Sequence, residues 1–146
     1  MKLLICTMGR PRSGKSTWCE EQLKKGYPVV CPDTIRLALH GKPMDWKREA
    51  TVWTIAKTMV KYFFEQGYKV VIFDATNYRC KNRREPKKWA KEIGCDIKFK
   101  VFDVTREVCI ERALTNGRED LIPVIERQSE LWTPLNESEK AFDETL

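Results

Sequence analysis

Hydrophobic and polar positions change period several times along this chain. Leu3–Met8 is a short apolar run that stops at Gly9, the pattern of a strand covered on both faces. Residues 16–25 read as a helix stopped by Gly26. Val29-Val30 mark a second strand over 27–31, broken by Pro32. Asp33 or Thr34 can cap a short helix through Leu39, and residues 40–43 read as loop. Asp45 can cap the longest helix, about 46–66, whose apolar positions Ala50, Trp53, Ala56, Val60 and Phe63 or Phe64 fall at helical spacing. Gly67 ends it. Residues 69–73 are almost wholly apolar and predict a buried third strand. A loop over 74–81 leads to a helix over 83–93 that stops at Gly94, and 97–104 predicts a fourth strand. Thr105 can cap a helix to Leu114, Asn116-Gly117 marks a turn, and Pro123 suits the first turn of a last helix. Strands alternating with helices predict an α/β fold with a mainly parallel sheet of four or five strands. The polar residues after Trp132, an acidic tail over 133–146, are expected to be loosely packed.

Length sets the scale: 146 residues make one domain, read here as residues 1–146. No apolar run approaches the roughly 20 residues of a membrane helix, so no membrane partner is expected. The apolar start is too short for a signal peptide. The six cysteines, at 6, 19, 31, 80, 95 and 109, form no Cys-x-x-Cys pair, and the single histidine, His40, has no cysteine within four positions. That disfavours zinc and reads as free, mostly buried thiols in a reducing cytoplasm. Charge adds a direction. The net charge is +6, but residues 126–146 hold six acids and two bases, −4, which leaves +10 on the remainder. A basic body suits an anionic partner such as a nucleotide or nucleic acid, and it equally suits an ordinary soluble surface.

One motif carries chemistry on its own. Gly9-Arg10-Pro11-Arg12-Ser13-Gly14-Lys15-Ser16-Thr17 matches G-x-x-x-x-G-K-[ST], with a strand before it and a helix after it. Gly9 and Gly14 let the backbone turn its N–H groups toward an anion, and the helix beginning near Lys15 adds its positive end. Lys15 reaches β- and γ-phosphates, and the Ser16 hydroxyl is a Mg²⁺ ligand. The expected ligands are therefore ATP and Mg²⁺, and the expected architecture is the three-layer P-loop kinase fold. Arg10 and Arg12 either touch phosphates or sit in solvent.

The acceptor of the phosphoryl group is read from weaker signals. Asp33 and Arg36 share one face of a helical turn at the carboxyl edge of the sheet, the edge that also holds the phosphate loop. A carboxylate there can take the proton of an attacking hydroxyl, and an arginine can hold the transferring group. The alternative is a capping Asp with a surface ion pair. Asp74 ends the third strand, where an acid can hold a water on Mg²⁺. Thr76 and Asn77 either orient that loop or make a strand-end Asx turn. Seven bases between Arg79 and Lys91 form a strand-binding surface or a solvated helix face, with Trp89 and Ala90 toward the core. Arg112 and Arg118 flank the Asn116-Gly117 turn, where a mobile segment can close over a triphosphate.

Taken in order, these features resemble the polynucleotide 5′-hydroxyl kinases: the phosphate loop, Asp33-x-x-Arg36, Asp74 to Asn77, Arg83-Arg84, the strand ending Lys100 to Val104, and Arg112, Arg118 and Ile122-Pro123. The resemblance spans about residues 3–130. It implies ATP-dependent phosphorylation of the 5′-hydroxyl of a DNA or RNA strand, with Asp33 as general base. Arg36 would contact the acceptor strand or scissile phosphate, and the lid arginines, Arg112 and Arg118, the donor phosphates. Asn116 stands where the family has a lid arginine, and Arg118 lies two residues further on. No Asp-x-Asp-x-[TV] motif is present, so no phosphatase activity is expected. Two other readings use the same residues: a kinase for a nucleoside or sugar, and a nucleotide-dependent binding module in which Asp33 is structural.

Overall fold

The computed structural model describes residues 1–144. Four strands form one sheet in the order β2-β3-β1-β4, every pair parallel: β1 is Leu3–Met8, β2 Val29–Val30, β3 Val70–Phe73 and β4 Asp96–Val101. Leu3 stands opposite both Val70 and Asp96, so β1 is the central strand around which the register is set. The helices are α1 (Lys15–Lys24), α2 (Pro32–His40), α3 (Glu49–Glu65), α4 (Cys80–Ile93), α5 (Arg106–Thr115) and α6 (Ile122–Glu130).

Strand alternation sorts the core into two layers. Leu4, Cys6, Val71, Phe73 and Phe99 face α3 and α4, where Val52, Ala56, Val60, Phe64 and Trp89 are buried against them. Ile5 and Ile72 face the other way, onto Trp18 and Cys19 of α1. A smaller cluster, Cys109, Ala113 and Ile125, joins α5 to α6. This is the three-layer α/β arrangement the pattern predicts. Among the described residues, no helix is long and apolar enough to cross a membrane.

Several local expectations are corrected. Pro32 does not merely break β2: it opens α2, with Cys31 as an N-cap that makes no side-chain capping bond. Neither Asp33 nor Thr34 is therefore the cap. Asp45 does cap, accepting the Lys47 N–H at 3.1 Å, but what it caps is a 3₁₀ turn over Trp46–Arg48, and the α-helix starts at Glu49. Thr105 caps α5 as expected, through the Val108 N–H at 3.3 Å. β4 ends at Val101, three residues early. The six thiols are free, with Cys6, Cys19 and Cys109 buried and the other three half-buried.

The larger correction concerns the tail. The described tail, residues 133–144, is anchored, not loose. Phe99 of β4 donates to Lys140 O at 2.9 Å and accepts from Phe142 N–H at 2.8 Å, so Ala141 makes a parallel bridge beside β4. Phe142 lies edge-on to Trp18, and Leu135 joins the α3–α4 layer. The tail thus lies alongside β4 without forming a strand of its own. Its anchor is Glu139, whose carboxylate is fully buried and bonded to Arg83 Nε at 2.9 Å and Lys87 Nζ at 3.1 Å. Arg83, among the seven bases expected on a solvated helix face or a strand-binding surface, is instead fully buried in α4, and also donates to Asn77 O (2.9 Å) and Pro134 O (3.0 Å). Trp89 and Ala90 do point into the core. Acidic residues thus hold the tail by charge, which their polarity alone does not reveal.

Candidate active site

The phosphate loop leaves β1 at Gly9 and returns as α1. Gly9 donates to Thr76 O at 3.0 Å, and Ser13 donates to Arg10 O at 3.2 Å. A Cβ at Gly9 would sit 2.5 Å from Ser13 Oγ and 3.0 Å from Phe102 Cβ, so only glycine fits. Gly14 holds φ at 101° as the N-cap of α1 and offers no side chain to the helix N–H groups behind it. The first turn of α1 also lacks an acid. Those N–H groups and the helix end form an anion cradle. Ser13 Oγ and Arg12 Nε are buried there without a protein partner. These orphaned donors fit a bound triphosphate. Arg12 adopts φ 67°, a left-handed turn that shapes the loop.

Lys15 Nζ donates to Gly9 O at 2.6 Å. Burial pushes its pKa down, and the carboxylates of Asp74 and Asp33 offset part of that. Lys15, Asp33 and Asp74 therefore share one electrostatic neighbourhood. Thr7 Oγ1 lies 3.1 Å from Asp74 Oδ1 and 2.7 Å from Ala75 O, and accepts the Ala75 N–H at 3.0 Å. Asn77 is buried with φ 46°, and its side chain donates to Thr7 O at 2.8 Å. Thr76 and Asn77 thus take the loop-orienting role. Thr7 escaped the sequence reading. Its signal is a lone hydroxyl within an otherwise apolar strand.

Ser16 and Asp74 both line a cavity of about 410 Å³ beside α2, together with Thr34 and the apolar Val29, Ile35 and Met59. A hydroxyl and a carboxylate are hard oxygen donors that suit Mg²⁺. Among the described residues no group of three or more His, Cys, Asp and Glu gathers to hold a metal. Such a site fits a cation carried largely by phosphate and water. Cys19 lines the same cavity, but burial and the neighbouring Asp74 push its thiol pKa up, away from the nucleophilic thiolate.

Asp33 and Arg36 meet as their spacing predicts, Arg36 Nη1 donating to Asp33 Oδ1 at 2.7 Å. Asp33 is 82% exposed, and Arg36 only 12%. Arg36 is held from behind by Glu49 at the start of α3, through Nε (3.1 Å) and Nη2. Glu49 Oε1 also accepts from Trp53 Nε1 at 3.1 Å. Burial opposes the Arg36 charge, yet its bonds with Glu49 and Asp33 keep its pKa raised, and Arg36 in turn holds Glu49 below the usual carboxylate range. Glu49 carries no local sequence signal.

The remaining arginines are spread more widely. Arg112 Nη1 donates to Arg12 O at 3.0 Å and ties α5 to the loop. Arg118 lies on the surface with both Nε and Nη2 on Asp120. Arg10 does not extend free over the loop. Its guanidinium bonds Ser129 Oγ (2.7 Å) and Val104 O (3.1 Å) and lies 4.4 Å from the Trp132 ring.

Residues 4–131 match the model of the AAA domain family. A chain in the structure of the Pnkp1/Rnl/Hen1 complex is similar with TM-score 0.69 and 25% identity, over 97% of this chain and 43% of that one. A chain of the Pnkp1/Rnl/Hen1 RNA repair complex gives 0.69 at 23% identity, over 90% and 46%. A gluconokinase from Sinorhizobium meliloti 1021 gives 0.64 at 20% identity, over 94% and 79%. The chain spans less than half the length of the two repair-complex polypeptides.

Proposed function

For this chain, which belongs to the AAA domain family and folds as a P-loop kinase, we propose ATP-dependent phosphoryl transfer to the 5′-hydroxyl of a DNA or RNA strand. The observation that carries this reading is the placement of Asp33. Its carboxylate is 82% exposed and oriented by a buried arginine, within electrostatic reach of the phosphate-loop lysine. An acceptor hydroxyl at the end of a long molecule can reach such a group without being enclosed. The 25% identity to a chain of the Pnkp1/Rnl/Hen1 complex supports a polynucleotide acceptor.

In this reading Asp33 orients the 5′-hydroxyl and accepts its proton. The freed oxygen forms a bond to the γ-phosphorus as the bridging P–O bond breaks, and ADP departs. Lys15 and the N–H groups of residues 13–17 hold the donor phosphates, with Arg112 and Arg118 closing from the lid. Ser16, and Asp74 through a water, would hold Mg²⁺, which would supply charge neutralisation on the phosphates. Arg36 donates to Asp33 Oδ1 and so fixes the direction of its carboxylate.

A small-molecule acceptor is the second reading, favoured by the 410 Å³ cavity beside Ser16 and Asp74 and by the gluconokinase-like fold. One assay separates the two. Protein, Mg²⁺ and γ-labelled ATP are offered a 5′-hydroxyl oligonucleotide, its 5′-phosphorylated form, and a mixture of nucleosides and sugars. Label only on the 5′-hydroxyl strand is expected. Label only on a small molecule, or released phosphate with no labelled acceptor, overturns the polynucleotide reading.

A further inference from the structure

Four of the five tryptophans are engaged by the fold. Trp18 packs against Phe102 and Phe142, Trp53 and Trp89 meet Phe73 edge-on, and Trp132 lies beneath Arg10. Trp46 is 79% exposed. It sits on the 3₁₀ turn between α2 and α3 that the Asp45 carboxylate holds through the Lys47 N–H. Three residues later Glu49 grips Arg36, which grips Asp33. A rigid support thus connects the exposed indole to the acceptor end of the site.

Charge identifies the occupant. Lys42 and Lys47, on either side of Trp46 in the sequence, are exposed, while Asp45 between them is matched by Arg48 at 3.6 Å. An aromatic ring between basic side chains is the arrangement that takes single-stranded nucleic acid, with bases on the ring and phosphates on the lysines. We propose that Trp46, with Lys42 and Lys47, is the platform on which a base of the acceptor strand stacks downstream of its 5′ end. This inference rests on the polynucleotide reading above. It adds a residue that contributes affinity through nucleotides beyond the reacting one.

The test uses the full chain and the variants Trp46→Ala and Trp46→Phe. Binding of a fluorescein-labelled 5′-hydroxyl 12-mer is measured by anisotropy without ATP, and KM is measured for that strand and for a dinucleotide. A stacked base is worth about 5- to 100-fold in affinity, so Trp46→Ala should weaken 12-mer binding by that factor. It should lower the advantage in KM of the 12-mer over the dinucleotide equally. Trp46→Phe, which keeps a ring, should restore most of both. Lys42→Ala and Lys47→Ala should each reduce the salt slope of binding by about 0.7. Unchanged 12-mer binding in Trp46→Ala, or equal losses in Ala and Phe, overturns the platform. If the normal protein labels no strand, the polynucleotide reading fails by itself, and the anisotropy series still decides whether Trp46 binds one.

Discussion

Lys15 hydrogen-bonds Gly9 O in a buried setting that disfavours its charge. Replacing it by alanine removes a desolvated cation and takes nothing from the hydrophobic core. Lys15→Ala is therefore expected to lower transfer by about 10²–10³-fold or more while the melting temperature stays near that of the parent. Unchanged labelling of the acceptor would remove the phosphate-loop argument. Asp33 answers differently. It caps no helix and lies in solvent, and an exposed ion pair of this kind contributes about 1 kcal/mol or less. Asp33→Asn should cut kcat by about 10²–10⁴-fold and leave ATP affinity, read by calorimetry, nearly intact. Unfolding of this variant would return Asp33 to a structural role.

At the scale of elements, β1, the phosphate loop and α1 were legible because their signals are local. An apolar run, two glycines and a helix start lie within fifteen residues. Asp33 and Arg36 were legible for the same reason, three positions apart on one helix. What lay outside the pattern joins distant segments. Glu49 meets Arg36 across a loop, and Glu139 meets Arg83 at a separation of 56 residues. Nothing in a run of bases tells which one is buried, since the partner that neutralises it is written elsewhere. This pair carries its own prediction. Glu139→Ala leaves a fully buried guanidinium facing no carboxylate, a change that costs about 3–5 kcal/mol. For a domain of this size the melting temperature should fall by about 10 °C or more, as calorimetry would show. The Asn77 loop that Arg83 also holds should loosen with it, raising hydrogen exchange at Thr76 and Asn77. A loss below about 1 kcal/mol would contradict the burial described here.

For the whole molecule, the same pair sets the response to acid. Burial works to raise the pKa of Glu139, but bonds from Arg83, the Asn136 N–H and Lys87 outweigh it and hold the group below the ordinary carboxylate range. A depressed folded pKa means that the unfolded chain binds the proton first. The stabilisation is therefore complete above the unfolded value, near about 4.3, and is lost as pH falls through the folded one. Glu49, lowered by Arg36, acts in the same direction. Stability curves recorded between pH 7 and 3 should drop on the acid side, and Glu139→Gln should flatten that drop while lowering the plateau. A parent protein whose stability rises toward acid would contradict both assignments.

Synthesis runs from the N-terminal side, and the tail packed beside β4 gives that direction a cost in time. When α4 leaves the ribosome, Arg83 has no counter-ion, because Glu139 is translated 56 residues later, about 3–11 s at ordinary elongation rates. Throughout that interval the Phe99 edge of the sheet is also open. This domain is thus held short of its native state until residues 139–142 arrive, and slowed elongation across residues 84–139 prolongs its exposure to chaperones and proteases.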